Sequence, residues 1–243
     1  MTHDLDAEID RILFSEHSDP FHILGAHPIV EVAEEERETR IRGVVIRAFL
    51  PEASQAWIVA DDTPNLPVPM ERIRPEGFFA VSFPERGRLF SYQLRVQDHH
   101  GQLQQFVDPY VFAPLLTDFD LHLMGEGNHY KKYEKLGAHL REVNGVRGVQ
   151  FAVWAPNAKR VSVIGDFNRW DGRRHPMRVR GSSGLWELFI PGLQEGTVYK
   201  FEIKSRLHGY LGEKSDPYGF YFEQPPKTAS IVHDLRDYQW QDS

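Results

Sequence analysis

The 243-residue sequence has no cysteine, so a disulfide framework, a thiolate metal site and a thiol nucleophile are all excluded. It also lacks any apolar run near the roughly 20 residues that a membrane-crossing helix needs. The opening MTHDLDAEIDRILF is acidic and amphipathic, unlike a signal or transit peptide. Cytoplasm is therefore the expected compartment, with no membrane partner. GxxxxGK[ST], GxGxxG and GxSxG motifs are absent, which removes the common phosphate loops and the nucleophile elbow. No cofactor is implied. Positive charge is in deficit, 28 Lys and Arg against 35 Asp and Glu for a net −7, and this argues against nucleic acid as a partner. Part of the acidic excess is local (Glu34, Glu35, Glu36, Glu38) and reads as a solvated loop. His17, His22 and His27 fall five apart, matching neither helical neighbours nor a tight zinc loop, so no metal site is expected. Asp61, Asp62, Asp166 and Asp171 sit in turns rather than as paired carboxylates, so no catalytic residue is assigned.

What the chain does have is an internal repeat. Pro51 in FLPEASQAWIV matches Pro156 in WAPNAKRVSVI, 105 residues on. Pro69-Met70 matches Pro176-Met177, GFFAVSF from Gly77 matches GLWELFI from Gly184, and Tyr92 matches Tyr199, each at an offset of 107. Asp108-Pro109-Tyr110 matches Asp216-Pro217-Tyr218 at 108. Ordered matches with so little drift mark a duplication.

Each copy reads as all-β. Phe79, Val81 and Phe83 alternate with Phe78, Ala80 and Ser82, and Trp186, Leu188 and Ile190 with Leu185, Glu187 and Phe189. Tyr199, Phe201 and Ile203 oppose Lys200, Glu202 and Lys204 in the same way. Period two with one apolar face predicts half-buried antiparallel strands. The expected fold is two tandem immunoglobulin-like β-sandwich modules, residues 1–115 and 116–243. Short helices are expected at the N-terminus and between the modules. Leu5, Ile9, Ile12 and Leu13 predict the first over residues 5–14. Residues 128–140 can form the second, with Asn128 as its cap and a break near Gly137.

Candidate binding residues come from aromatic rings. A ring offers a flat apolar face to the C–H side of a pyranose, while neighbouring polar groups take its hydroxyls. In GDFNRWDG, Trp170 follows Asn168 and precedes an Asp-Gly turn, which places it in a loop. Lys200 points from the outer face of its strand and Tyr210 lies in the turn GYLGEKSDP. Trp170, Lys200, Tyr210 and Asn168 are the candidate carbohydrate-binding residues; packing of Trp170 on a neighbouring module stays open beside that role. The first copy has Asn65 and Gln93 opposite Trp170 and Lys200. Trp154, Trp186 and Trp57 are expected in strand cores.

The segment FAVWAPNAKRVSVIGDFNRWDGRRHPMRVRGSSGLWELFIPG, residues 151–192, is very similar to the N-terminal carbohydrate-module region of bacterial glycogen branching enzymes. YKFEIK and SDPYGFYFEQPPKTASIV continue the likeness, HSDPFHILGAHP resembles the opening motif of the longer members, and GEGNHYKKYEKLGAH their inter-module segment. The resemblance implies an α-amylase-family glucanotransferase that cleaves an α-1,4 linkage and passes the fragment to a 6-hydroxyl through two carboxylates. Those carboxylates belong to a barrel of about 250 residues that two all-β copies leave no room for. The implied partners are α-1,4-glucan, as glycogen or maltooligosaccharides, and the missing C-terminal catalytic barrel, in a monomer. Related glycogen-binding modules stack sugar on two tryptophans beside a lysine. Trp170 and Lys200 match one tryptophan and the lysine, Tyr210 is the aromatic nearest the second, and the asparagine expected near the module's end is replaced around Ser230 to His233. A branching-enzyme segment, a free-standing glycogen-binding module and a purely structural pair are the three functions left open.

Overall fold

A computed structural model describes residues 2–33 and 38–235. The acidic residues 34–36 lie outside them. The chain forms two compact units, one comprising the chain up to Phe14 with Pro20–Val111, the other Ser15–Asp19 with the chain from Phe112 onward.

In the first unit, helix α1 (Thr2–Leu13) precedes strands β1 (Gly25–Ala33), β2 (Glu38–Phe49), β3 (Ala53–Ala60), β4 (Val68–Pro69), β5 (Glu71–Arg74), β6 (Phe78–Phe83), β7 (Tyr92–Asp98) and β8 (Leu103–Val107). Two antiparallel sheets, ordered β1-β2-β6-β5 and β4-β3-β7-β8, make a sandwich. Val44, Ile46, Ile58, Phe79, Tyr92 and Leu94 meet between them. Phe78, one residue before Phe79, points the other way and packs with Phe49 under Ile9 and Ile12 of α1. The helix thus covers the outer face of one sheet.

The second unit repeats this plan. Helix α2 (Asp118–Gly125) precedes β9 (Gly137–Val143), β10 (Val146–Trp154), β11 (Ala158–Gly165), β12 (Arg178–Val179), β13 (Leu185–Pro191), β14 (Val198–Ser205), β15 (Leu211–Lys214), β16 (Tyr221–Phe222) and β17 (Ser230–Ile231). Its sheets run β12-β13-β10-β9 and β11-β14-β17-β16, with β15 added to β14. Phe151, Val153, Val163, Trp186, Leu188, Tyr199 and Phe201 are buried. Leu116, Leu136, Ala152 and Leu185 form a further apolar cluster, with Leu121 and Met124 of α2 packed against it. Consequently β13 is buried on both faces, including Leu185, Glu187 and Phe189. Glu187 survives there because its carboxylate accepts hydrogen bonds from the Leu115 and Leu116 N–H groups at 2.9 Å and pairs with Arg180 at 2.7 Å. Residues 15–19 belong to this unit. Glu16 pairs with Lys204 at 2.8 Å and Lys159 at 3.2 Å, and the Val179 N–H donates to the Ser18 carbonyl.

The duplication extends to single hydrogen bonds. Tyr92 Oη donates to Asp108 at 2.6 Å, and Tyr199 Oη to Asp216 at 2.7 Å. In each pair the other carboxylate oxygen accepts the N–H of the tyrosine two residues on, Tyr110 or Tyr218. Leu24-Gly25-Ala26-His27 and Leu136-Gly137-Ala138-His139 form a sixth match, each histidine 3.0 Å from the carbonyl of its leucine. Gly25 and Gly137 both have positive φ, and a Cβ on either would lie within 3 Å of the Tyr110 or Tyr218 carbonyl oxygen.

Two expectations are corrected. The second helix covers Asp118–Gly125, not residues 128–140, and Thr117 is its cap. Thr117 Oγ1 accepts from the Asp120 N–H, while the Asp120 carboxylate accepts from the Thr117 N–H. The lysine-rich stretch after it makes only a short 3₁₀ turn (Lys132–Glu134) before Gly137 opens β9. Trp186 lies in the core, but Trp154 is 60% exposed at the end of β10, and Trp57 is half-buried. Among the described residues no helix is long and apolar enough to cross a membrane.

Candidate functional site

Strand β11 runs out at Gly165, where the backbone passes so close to the Val198 carbonyl that a Cβ would sit 2.3 Å from its oxygen. A 3₁₀ turn over Asp166–Asn168 follows. Arg169 and Trp170 then take successive left-handed conformations, φ 56° and 60°. That geometry is costly for residues with side chains, so something must hold it.

Asn168 holds it. Its side chain is fully buried; Oδ1 accepts from the Gly165 N–H at 3.0 Å, and Nδ2 donates to the Val163 carbonyl at 2.8 Å and to His175 Nδ1 at 2.9 Å. Each of its polar groups is therefore spent inside the loop, and Asn168 is corrected from sugar contact to loop support. His175 lies partly buried beneath the loop, and desolvation lowers its pKa to about 3, so it is neutral and able to accept. The far side of the loop is tied to the sheet by buried Arg160, which donates to the Gly172 carbonyl at 3.0 Å and pairs with Glu202 at 2.5 Å.

On this support Trp170 is half-buried, its indole N–H donating to Asp166 Oδ1 at 2.8 Å. Lys200, on the outer face of β14, places Nζ 5.9 Å from the indole centroid and 3.3 Å from Glu213 of β15. The cation–π contact is worth about 1 kcal/mol at such a site. It holds the ammonium beside the ring with donors to spare. Tyr210 is 61% exposed, in the turn before β15, where its carbonyl accepts from the Ser205 N–H. Ser205 is five residues beyond Lys200, about 17 Å along the strand. The structure thus brings Trp170 and Lys200 together and leaves Tyr210 at the other end of the hairpin. Asp166, His175, Arg160 and Glu213 were not singled out from sequence as parts of the site, since only the folded loop makes them neighbours.

Two family descriptions divide the chain. "Carbohydrate-binding module 48 (Isoamylase N-terminal domain)" matches residues 135–219, so the second unit is of the carbohydrate-binding-module class. "Alpha-1,4-glucan branching enzyme GlgB, N-terminal domain" matches residues 5–110. Among curated proteins, the 1,4-alpha-glucan branching enzyme GlgB of Nostoc sp. (strain PCC 7120 / SAG 25.82 / UTEX 2576) is 50% identical over 97% of this chain and 29% of its own length. That of Thermosynechococcus vestitus is 51% identical over 97% of this chain and 29% of its own. The chain belongs to the 1,4-alpha-glucan branching enzyme family and corresponds to its N-terminal region. It spans about three tenths of the length of the curated relatives it matches. Among solved structures, a pullulanase type I from Bacillus subtilis str. 168 complexed with maltose aligns over 83% of this chain and 26% of its own, at 18% identity and a TM-score of 0.37.

Proposed function

We propose that the second unit holds a stretch of α-1,4-glucan on Trp170 and Lys200, as a non-catalytic part of a branching enzyme whose α-1,4 cleavage and α-1,6 transfer occur elsewhere in the whole protein. The observation that carries this is the preorganised ring: an indole fixed at positive φ, its N–H anchored on Asp166 and an ammonium 5.9 Å from its centroid. The C–H face of one glucosyl unit stacks on the indole, and Lys200 donates to its hydroxyls. Tyr210 contacts a unit further along the same chain. Because ring and cation are fixed before binding, little ordering entropy is lost. One stacked unit with few hydrogen bonds gives a dissociation constant near millimolar, about −4 kcal/mol. Such weak holding suits a substrate that must slide, and it orients donor chains and biases the length transferred.

Isothermal titration with maltoheptaose, with Trp170→Ala beside the unaltered chain, is the test. Weak saturable binding abolished in a folded variant is expected. A flat titration of the folded, unaltered chain refutes the proposal and leaves the pair of modules a scaffold.

A further inference from the structure

The duplication supplies an internal control for every surface of the second unit. Phe49 and Trp154 occupy the same place in the two copies. Phe49 pairs with Phe78 across β2 and β6, and Trp154 with Leu185 across β10 and β13. The residue just past the end of each strand, Leu50 or Ala155, donates its N–H to a glycine carbonyl, Gly77 or Gly184, at 2.8 Å. Yet Phe49 is 7% exposed, covered by α1, while Trp154 is 60% exposed. The 12 residues of α1 are matched by only eight in α2. Where α1 lies in the first copy, the second has an open cleft of about 520 Å³. Its walls are Trp154, Tyr218, Met124 and Leu136, with Lys132 and Ser183 contributing polar groups. Volumes of this size suit small ligands rather than single waters.

We propose that this cleft is a second α-glucan site, separate from the Trp170 platform. The Trp154 indole N–H and the Lys132 ammonium have no partner among the described residues. A closed apolar contact with another polypeptide would strand both, at the desolvation cost of an unpaired donor and an unpaired charge. A glucosyl unit avoids that cost: its C–H face covers the indole while its ring and hydroxyl oxygens accept from the two nitrogens. Tryptophan and lysine are also the pair found at Trp170 and Lys200. Trp154 ends a paired strand, so its backbone is placed by the register with Leu185 rather than by a loop. A chain bound here would lie apart from one bound at Trp170, since Trp154 ends β10 of one sheet and Trp170 sits in the loop that follows β11 of the other.

The test is an NMR titration of the 243-residue chain carrying Trp170→Ala, following the tryptophan indole N–H resonances as maltoheptaose is raised to about 20 mM, well above the millimolar range expected for such sites. The Trp154 resonance, identified by its loss in Trp154→Ala, is expected to move saturably. Adding Trp154→Ala should weaken the remaining binding about tenfold, and Lys132→Ala about threefold. Circular dichroism melts check that each variant is folded; with the indole exposed, Trp154→Ala leaves the core intact. A Trp154 resonance that stays fixed throughout overturns the proposal. So does one that moves with protein concentration instead of glucan, which would make the cleft a polypeptide contact. If Trp154 moves while Trp170 of the unaltered chain does not, the cleft stands and the Trp170 platform falls.

Discussion

Replacing Tyr199 by Phe removes one buried hydroxyl, which meets Asp216 and Ser230, and no packing volume of consequence, so the pH dependence of its cost reports on the bond to the titrating partner, Asp216. The hydroxyl donates to Asp216 at 2.7 Å, and the carboxylate's other oxygen keeps its bond from the Tyr218 N–H. Burial pushes the Asp216 pKa up to about 6, against 3.8 for the ordinary group. A folded-state pKa raised in this way contributes stability that is full below pH 3.8 and is lost as pH rises through about 6. The shift corresponds to about 3 kcal/mol between the two protonation states. At pH 7.5 the carboxylate is ionised and the tyrosine bond is charge-assisted, so losing it should cost about 2–3 kcal/mol. At pH 5 the carboxyl is largely protonated and the same loss is that of a neutral bond, about 1 kcal/mol. Guanidinium unfolding of the unaltered chain and the variant at both pH values, by fluorescence and circular dichroism, measures the difference. Tyr92→Phe is the matched experiment in the first unit, where Asp108 is likewise raised to about 6 by burial, and it should show the same pattern. An equal cost at both pH values, or a larger one at pH 5, would refute the account.

Two further outcomes follow from the loop beneath Trp170. Asn168→Ala should cost about 2–3 kcal/mol, because it leaves the Gly165 N–H and the Val163 carbonyl unpaired in the interior; maltoheptaose affinity should fall with it, read by titration under conditions where the variant is folded. His175→Gln should flatten acid destabilisation. With its pKa lowered to about 3, neutral His175 contributes stability that is full above pH 6.5 and falls by about 1.4 kcal/mol per pH unit below it. Glutamine does not titrate and can still accept from Asn168, so unfolding free energies of variant and unaltered chain should converge between pH 7 and 5. Parallel curves would show that His175 is not the group involved.

Much of the fold is written in local pattern. The alternation through Phe79 and Val81, and through Tyr199 and Phe201, reports strands because one face of each is core. The repeat is legible because equivalent turns and partner bonds need equivalent residues, as with Pro51 and Pro156 or Asp108 and Asp216. What local pattern does not carry is cover from a distant segment. The outer faces of β6 and β13 are apolar because α1 and the segment from Phe112 lie over them, and no neighbouring residue announces it. Trp154 was misplaced for the same reason in reverse: its strand looks like core, and only the shortness of α2 leaves it open. Residues 128–140 have helix-forming composition, but the cap that decides the matter is the Thr117–Asp120 pair upstream. The loop position of Trp170 and the outward direction of Lys200 are legible because an aromatic beside an Asp-Gly turn and a cation on an outward strand position are local signals, whereas their nearness to each other appears only in the fold. Asn168 was misread because its solvent-facing sequence context hides a buried side chain.

The five residues Ser15–Asp19 have a consequence for anyone treating the second unit as a transferable cassette. Cut at Phe112, the fragment would keep the whole sequence that matches the carbohydrate-binding module, yet lose Glu16 from Lys159 and Lys204, and Ser18 from the edge of β12. The unit is discontinuous in sequence, so its boundaries as a heritable segment and as a folded body differ. A graft that moves it to another protein needs that pentapeptide supplied as a second piece, or a circular permutation that joins it on.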